Sequence, residues 1–448
     1  MPATPRLSSS AVARYAIGSI GTGGFGTLPG LVLVFYMTDT LGVAAWAAGL
    51  VLAAAKIWDV VIDPVIGRIS DLSLARTGSR RRIMVIGALA LPVFFLLTFA
   101  VPEGVGPVVG AVWVLIAFVL SATAFSLFQV PYIALPAEIA DRYDQRTRLL
   151  TWRVAVLSLG ILLFGGVAPA LRRVGDPHTG YLVMALVAGV VIAAGLLVAA
   201  TVAPRGPAGT VVPVRIGESY REAIAAIRRS APFRALLGAF LLQAVATGLM
   251  LACANYVAVW VMHSQDALTF LFVALIAPAI LVSPAWNAIA RRIGKERSFV
   301  IASVLFAVAT ATLAVAIWAP GLWMYGSVAL AGAAYAGMQA LPMAMLPDVI
   351  SHDARTAGAG KAGVFGGVWT AGETTGMAVG AAALTVVLTV SGYVESVAGV
   401  EVEQPASAVT GIAMSFGLAP AALALLSLLF IARYRLRRGD VDGAEAAG

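Results

Sequence analysis

Long apolar segments recur along the whole of this 448-residue chain and constrain its fold more than any other feature. Each has about 20 residues or more, enough for a helix to cross roughly 30 Å of hydrocarbon. Residues are 60% hydrophobic and 12% charged, a balance that no soluble globular class shows. Inside lipid a segment must satisfy its own backbone hydrogen bonds, so each is expected to be a helix. We count twelve, at residues 14–40, 42–69, 83–101, 108–137, 150–171, 180–203, 233–262, 267–290, 298–319, 322–348, 361–391 and 409–432.

The positive charges predict the orientation. Of the 30 basic residues, 27 lie in or beside one alternating set of loops and termini, and the opposite set holds Arg172 and Arg173. Because short cytoplasmic loops are enriched in Lys and Arg, both termini are expected in the cytoplasm of a multi-pass protein of the cell membrane. This distribution explains the net charge of +8 without a nucleic-acid partner.

An internal repeat divides the chain. Proline, leucine and proline keep the same spacing in residues 131–136 and 342–347, each time near the end of an apolar segment, with Arg-Thr following. The sequence therefore predicts an all-α integral membrane fold of twelve transmembrane helices in two six-helix halves, with a substrate site between them. The expected boundaries are 1–203 for the first half, 204–232 for a cytoplasmic linker, and 233–448 for the second half with a short cytoplasmic tail.

Three charged residues, Lys56, Asp59 and Asp63, interrupt the second apolar segment. At about 100° per residue they fall within roughly 60° of one another on a helix, so all three point towards protein or water. Each costs roughly 2.5–3.5 kcal/mol on the insertion scale, which favours a function. Two carboxylates one turn apart beside an ammonium group suit a cation or a proton, and a purely structural Lys56–Asp59 pair is the alternative.

Four strings carry a resemblance to a known family. Residues 36–42, 56–67, 346–350 and 367–370 resemble the glycoside, pentoside and hexuronide cation symporters, the melibiose permease-like branch of the major facilitator superfamily. The resemblance implies the major facilitator fold and a coupling ion, Na⁺ or H⁺. It assigns the cation site to Asp59 and Asp63, with the hydroxyl of Ser126 helping and Lys56 as their charge partner.

The same resemblance points to substrate contacts and to departures from the family pattern. Where sugar-transporting relatives carry acids, this chain has Gly23 and Gln129. Arg153 matches an arginine that lines the inner cavity, with a role in substrate binding or inner closure, and a cytoplasmic anchor is the alternative. We therefore expect a solute with fewer hydroxyls than a disaccharide, sugar-like or more apolar.

Glu373 lies near the middle of the eleventh segment, next to Thr374, where many relatives have a lysine. A charge at that depth is costly, so Glu373 is expected to be protonated, paired or facing a cavity that binds substrate. Trp58 and Trp369 are candidates for stacking on a ligand, with helix packing as the alternative.

These observations predict a secondary transporter that works as a monomer by alternating access, coupling Na⁺ or H⁺ to symport of a small organic solute. The alternatives are a proton-coupled exporter of hydrophobic compounds and a lipid-handling membrane protein. An enzyme is not expected, since no nucleophile and base are paired. No cofactor is expected either, because the sequence has no Walker pattern and no predicted strand followed by a GxGxxG helix. The single cysteine, Cys253, and three scattered histidines support no metal site beyond Na⁺ at the two aspartates.

Overall fold

The computed structural model describes residues 8–140, 143–204, 224–225, 227–357, 362–398, 400, 402–434 and 436. Within them, twelve helical spans are long and apolar enough to cross a membrane, which confirms the predicted all-α fold class. The first six helices are α1 (Ser9–Asp39), α2 (Ala45–Thr77), α3 (Arg81–Phe99), α4 (Pro107–Ile139), α5 (Tyr143–Gly166) and α6 (Pro177–Ala200). The others are α7 (Ala231–Tyr256), α8 (Asp266–Ile293), α9 (Lys295–Thr312), α10 (Trp323–Ala357), α11 (Ala362–Val390), and α12 (Ala406–Phe416) with α13 (Leu418–Ile431), which together form the last span.

The chain divides into two compact units, Met1–Pro213 with Glu395–Val402 and Val214–Val394 with Glu403–Gly448. In the first unit, α1 packs against α5 and α6, α3 packs against α4 and α6, and α2 packs against α4. In the second unit, α7 packs against α11 and α13, α9 against α10 and α13, and α8 against α10. Each pairing in one unit has its counterpart in the other, so the repeat seen in the sequence is also a repeat of packing.

Two helices run past the ends that hydropathy predicts. α2 continues to Thr77 instead of residue 69, and α10 continues to Ala357 instead of residue 348. Hydropathy detects the apolar part of a helix, whereas the backbone ladder continues for as long as the residues allow it. α2 stops at Gly78, whose φ of 65° is left-handed and whose N–H bonds to the Leu74 carbonyl.

The last predicted helix, 409–432, is broken in the structure at Gly417, between α12 and α13. A Cβ at this position would lie 2.9 Å from the backbone nitrogen of Ala314 and 3.1 Å from the carbonyl oxygen of Thr310. The break therefore follows a close backbone approach that hydropathy cannot detect.

The predicted linker and domain boundaries fall largely on residues 205–223 and 226, outside the described residues, so these boundaries stay a prediction. At the described end of the linker, Arg229 donates two hydrogen bonds to Asp353 of α10, at 3.0 and 2.5 Å. The Asp353 side chain is 2% exposed, so this pair anchors the chain just before α7. Hydrogen bonding to Asp353 raises the pKa of Arg229 above its ordinary value.

Candidate functional site

The charged residues of α2 lie where the helix continues through Pro64 without a break. Lys56 Nζ donates to Asp59 Oδ2 at 2.8 Å, as the three-residue spacing predicts, and the two side chains are 41% and 24% exposed. Asp59 is therefore already neutralised by a cation of its own helix.

Asp63 lies one turn further along and has different surroundings. Its Oδ1 atom is buried and has no hydrogen-bond partner among the described residues. The Ser126 side chain of α4 interacts with the Asp63 carboxyl, and Asp59 and Lys56 act on it through their charges. The packing of α2 against α4 thus brings together the four residues predicted as cation site and charge partner, with a net charge of about −1.

A polar face of α4 extends this cluster. Thr123, Ser126 and Gln129 follow one another at three-residue intervals and fall within about 120° on the helix. The indole Nε1 of Trp58 donates to Thr123 Oγ1 at 2.8 Å, and Trp58 remains 37% exposed. Gln129 Oε1 is buried without a partner among the described residues. Sequence reasoning missed Thr123, although its spacing from Ser126 was a usable signal.

Gly23 lies at a close contact between α1 and α5. A Cβ there would stand 3.0 Å from the Leu157 carbonyl oxygen and 3.3 Å from the Ile161 nitrogen. A side chain at this position would therefore need α1 or α5 to shift by a few tenths of an ångström.

Arg153 of α5 packs inside the first unit. Its guanidinium lies 5.4 Å from the ring centroid of Tyr132, a cation–π contact, while its Nε is buried without a hydrogen-bond partner among the described residues. The Tyr132 hydroxyl lies 2.9 Å from Ser19 Oγ and donates to the Tyr15 carbonyl at 2.8 Å. The Tyr15 and Tyr132 rings stack at 4.6 Å. The arginine thus belongs to an aromatic cluster that the sequence did not reveal.

The remaining predicted residues, Trp369 and Glu373, belong to the second unit. Trp369 is 2% exposed and stacks on Phe240 with ring centroids 4.1 Å apart, so its faces are covered. Glu373 Oε1 lies 3.5 Å from Gln339 Nε2, and that amide also donates to the Tyr335 hydroxyl at 2.7 Å. Sequence reasoning missed Gln339 and Tyr335, which are one turn apart on α10.

An arginine that the sequence presents as part of a basic loop is instead the centre of a buried ion-pair cluster. Arg80 lies 2.7 Å from Asp71 and 2.5 Å from Glu138, and it donates to Ser70 at 2.6 Å. Burial acts to lower the pKa of Arg80, but its hydrogen bonds with Glu138 and Asp71 outweigh burial and hold the pKa above its ordinary value. The second unit has a simpler counterpart in Lys295, which lies 2.6 Å from Asp348.

Two carboxylates and a hydroxyl supply the hard oxygens that small cations prefer. The described residues contain no group of three or more His, Cys, Asp or Glu side chains that would hold a metal ion. The donor set at α2 and α4 therefore suits a monovalent cation or a proton.

In the described part of the chain, twelve candidate membrane spans, a packing pattern repeated in two units and a carboxylate pair inside one span are features expected of a membrane transporter. Comparison with known proteins agrees: the family model for the MFS/sugar transport proteins matches residues 14–438, and the chain belongs to this family. It is therefore a multi-pass membrane protein of a transporter family rather than an enzyme.

Relatives agree with the family, and solved structures agree with the fold. A putative glycoside/cation symporter of Escherichia coli is 27% identical over 37% of each chain. A glucuronide carrier protein homolog of Escherichia coli is 23% identical over 96% of this chain and 93% of its own. This chain matches three symporter-named relatives, including the putative glycoside/cation symporter, over only 28% to 39% of their own length. Among solved structures, a D-xylose-proton symporter superposes with a TM-score of 0.68 at 16% identity, covering 94% of this chain and 96% of its own.

Proposed function

We propose that this protein is a cation-coupled symporter that takes up a small organic solute by alternating access, with the coupling ion bound at Asp59 and Asp63. The observation that carries the proposal is the buried Oδ1 of Asp63, which has no hydrogen-bond partner among the described residues. A buried carboxylate oxygen without a hydrogen-bond partner costs free energy unless an ion or a proton binds to it. Several relatives are named symporters, which also supports cation-coupled symport.

Na⁺ is the ion that we favour. Asp59 and Asp63 with the Ser126 hydroxyl offer several oxygens, and solute or water completes the shell. Lys56 leaves the cluster a net charge of about −1, which one monovalent cation neutralises. A proton needs a single carboxylate and remains the alternative, tested by the same experiment.

The solute that we propose is neutral or amphipathic, with fewer hydroxyls than a disaccharide. Gly23 has no side chain that could accept a hydrogen bond on α1, and Gln129 offers an amide in place of a carboxylate. An amide oxygen is a weaker hydrogen-bond acceptor than a carboxylate, so fewer sugar hydroxyls are held. Proton-coupled export of hydrophobic compounds is the competing function, and the direction of transport separates the two.

The test is uptake into proteoliposomes of a labelled panel: a glucuronide, a neutral glycoside, a pentose and a short-chain alkyl glucoside. Inward Na⁺ and pH gradients are imposed separately. We expect accumulation above equilibrium for at least one solute with the Na⁺ gradient. Uptake driven by the pH gradient alone would identify H⁺ instead of Na⁺ as the coupling ion. Solute that moves in the direction opposite to the imposed ion gradient would favour the exporter.

Asp63→Asn is the decisive variant. It removes a costly charge and should fold normally, yet accumulation should fall to simple equilibration because the ion site is lost. Asp176→Asn is the matched control, since Asp176 caps α6 by accepting from the Thr179 N–H, and asparagine caps equally well. Normal accumulation by Asp63→Asn would refute the cation-site assignment.

A further inference from the structure

Glu373 is a carboxyl group of α11 whose nearest described partners are all uncharged. The Gln339 Nε2 atom donates a long hydrogen bond of 3.5 Å to Glu373 Oε1. Beyond it, the Tyr335 hydroxyl accepts from the same amide at 2.7 Å. Among the described residues Glu373 forms no ion pair.

Among the described residues, ionisable groups on the helices packed against α11 form no ion pair with Glu373. Of those on α7, α10 and α12, Tyr335 is the group that faces Glu373. Arg234 of α7 donates to the Ile227 carbonyl, outside α7, while Asp348 and Asp353 of α10 hold their own cations. The described part of α12 carries no ionisable residue.

The cluster can satisfy either protonation state. A glutamine amide donates N–H to a carboxylate and accepts O–H from a carboxylic acid, so Gln339 does not select the charged form. Inside a membrane span an ionised carboxylate without a cation is strongly disfavoured, which makes the acid form the favourable one. Asp59 has the opposite arrangement, with the Lys56 ammonium group 2.8 Å from its Oδ2 atom.

A proton can also reach this carboxyl. Glu373 is half-buried, and its neighbours Thr370 and Thr374 are exposed. Thr374 Oγ1 bonds to the Thr370 carbonyl, so two threonines one turn apart give this side of α11 a polar surface. A hydroxyl-bearing surface beside a carboxyl suits contact with water.

We propose that Glu373, in the second unit, is a proton-binding site whose ligand is a single proton held at the Glu373 carboxyl with Gln339 as its neutral hydrogen-bond partner. The chain then has two chemically different acidic sites. One takes the coupling ion beside Lys56 and Ser126, and the other keeps a proton at neutral pH. Transport of the solute then depends on pH even where Na⁺ drives it.

The experiment is infrared difference spectroscopy of the purified full-length protein in lipid at neutral pH, in the carbonyl-stretch region of protonated carboxyl groups. Wild type minus Glu373→Gln should contain a protonated-carboxyl band. Glu103→Gln is the matched control, because Glu103 is exposed on a loop, and it should contribute no such band. Gln339→Ala should shift the Glu373 band without removing it, since its hydrogen-bond partner is lost.

Absence of the band from the Glu373→Gln difference, in a variant that elutes as a folded monodisperse protein, overturns the proposal. A band that Gln339→Ala leaves unshifted overturns the assigned partner. The measurement needs no solute, so its failure leaves the symport proposal standing.

Discussion

Asp59 and Asp63 lie one turn apart on α2 but have different partners. Asp59 forms an ion pair with Lys56 at 2.8 Å, whereas the buried Oδ1 of Asp63 lacks a hydrogen-bond partner among the described residues. Spacing on a helix predicts that both carboxylates point the same way. It does not predict this difference, because Ser126, which interacts with the Asp63 carboxyl, belongs to α4.

The Lys56–Asp59 pair is tested by a double-mutant cycle. Asp59→Asn removes the carboxylate that pairs with the Lys56 ammonium group. Lys56→Gln removes the ammonium group that pairs with the Asp59 carboxylate. The double variant removes both charges and should recover stability, with a coupling energy of about 0.5–3 kcal/mol. Thermal unfolding in detergent measures this coupling energy. If the stability losses of the two single variants add up to the loss of the double variant, the pair is not coupled.

Arg80 is the residue whose role changes most between sequence and structure. In the sequence it is the first of three consecutive arginines, but its side chain is 9% exposed and meets two carboxylates. Removing one partner of a buried ion pair leaves uncompensated charge. Arg82, two residues further on, is exposed, so the triplet is not one functional unit.

Arg80→Ala should therefore lower the free energy of unfolding by about 3–5 kcal/mol, because Glu138 and Asp71 lose their cation. Arg82→Ala is the matched control, since Arg82 is exposed, and it should change stability by no more than about 0.5 kcal/mol. Thermal unfolding of both variants in the same detergent compares them. Equal effects of the two substitutions would contradict the buried cluster.

At the scale of helices, the structure separates glycines that the sequence presents as one group on α11. A Cβ at Gly380 would lie 2.2 Å from the Val245 carbonyl oxygen of α7, and one at Gly376 would lie 2.6 Å from Ala244 Cβ. At Gly366 and Gly367 nothing lies within 4 Å. Small residues thus serve close packing of α7 and α11 at one end of the helix but not at the other.

Gly380→Ala and Gly367→Ala make a matched pair on α11. The first should destabilise the protein by about 1–3 kcal/mol, because the backbone of α7 must move away from the new methyl group. The second should be neutral or stabilising by about 0.5–1 kcal/mol, because alanine restricts the unfolded chain and favours helix. Circular dichroism melting distinguishes them, and equal melting temperatures would contradict the packing argument.

For the whole molecule, hydropathy and the repeat predict the architecture, because every span inside lipid must satisfy its own backbone hydrogen bonds and therefore forms a helix. Twelve predicted segments became twelve spans, and the two units repeat one set of helix pairings. The basic residues add an orientation, which remains a proposal: both termini in the cytoplasm of a cell-membrane protein.

The orientation is tested with single cysteines after Cys253→Ala, which removes the buried native thiol. Ser8→Cys, at the exposed start of α1, should resist an impermeant thiol reagent in intact cells. Glu103→Cys, in the loop between α3 and α4, should react. Permeabilised cells control for access at Ser8, and the reverse labelling pattern would invert the topology.

The sequence by itself determined the spans, the repeat and the Lys56–Asp59–Asp63 face, because hydrophobicity and the 3.6-residue period act locally. Contacts between segments remote in sequence needed the tertiary structure. Glu395 Oε1 accepts from the Ala45 N–H at the start of α2, and Leu41 forms a β-bridge with Val397, although about 350 residues separate the partners. Gln339 beside Glu373 belongs to the same class. Such pairs depend on which helices pack together and at what depth, and no local pattern in the chain specifies either.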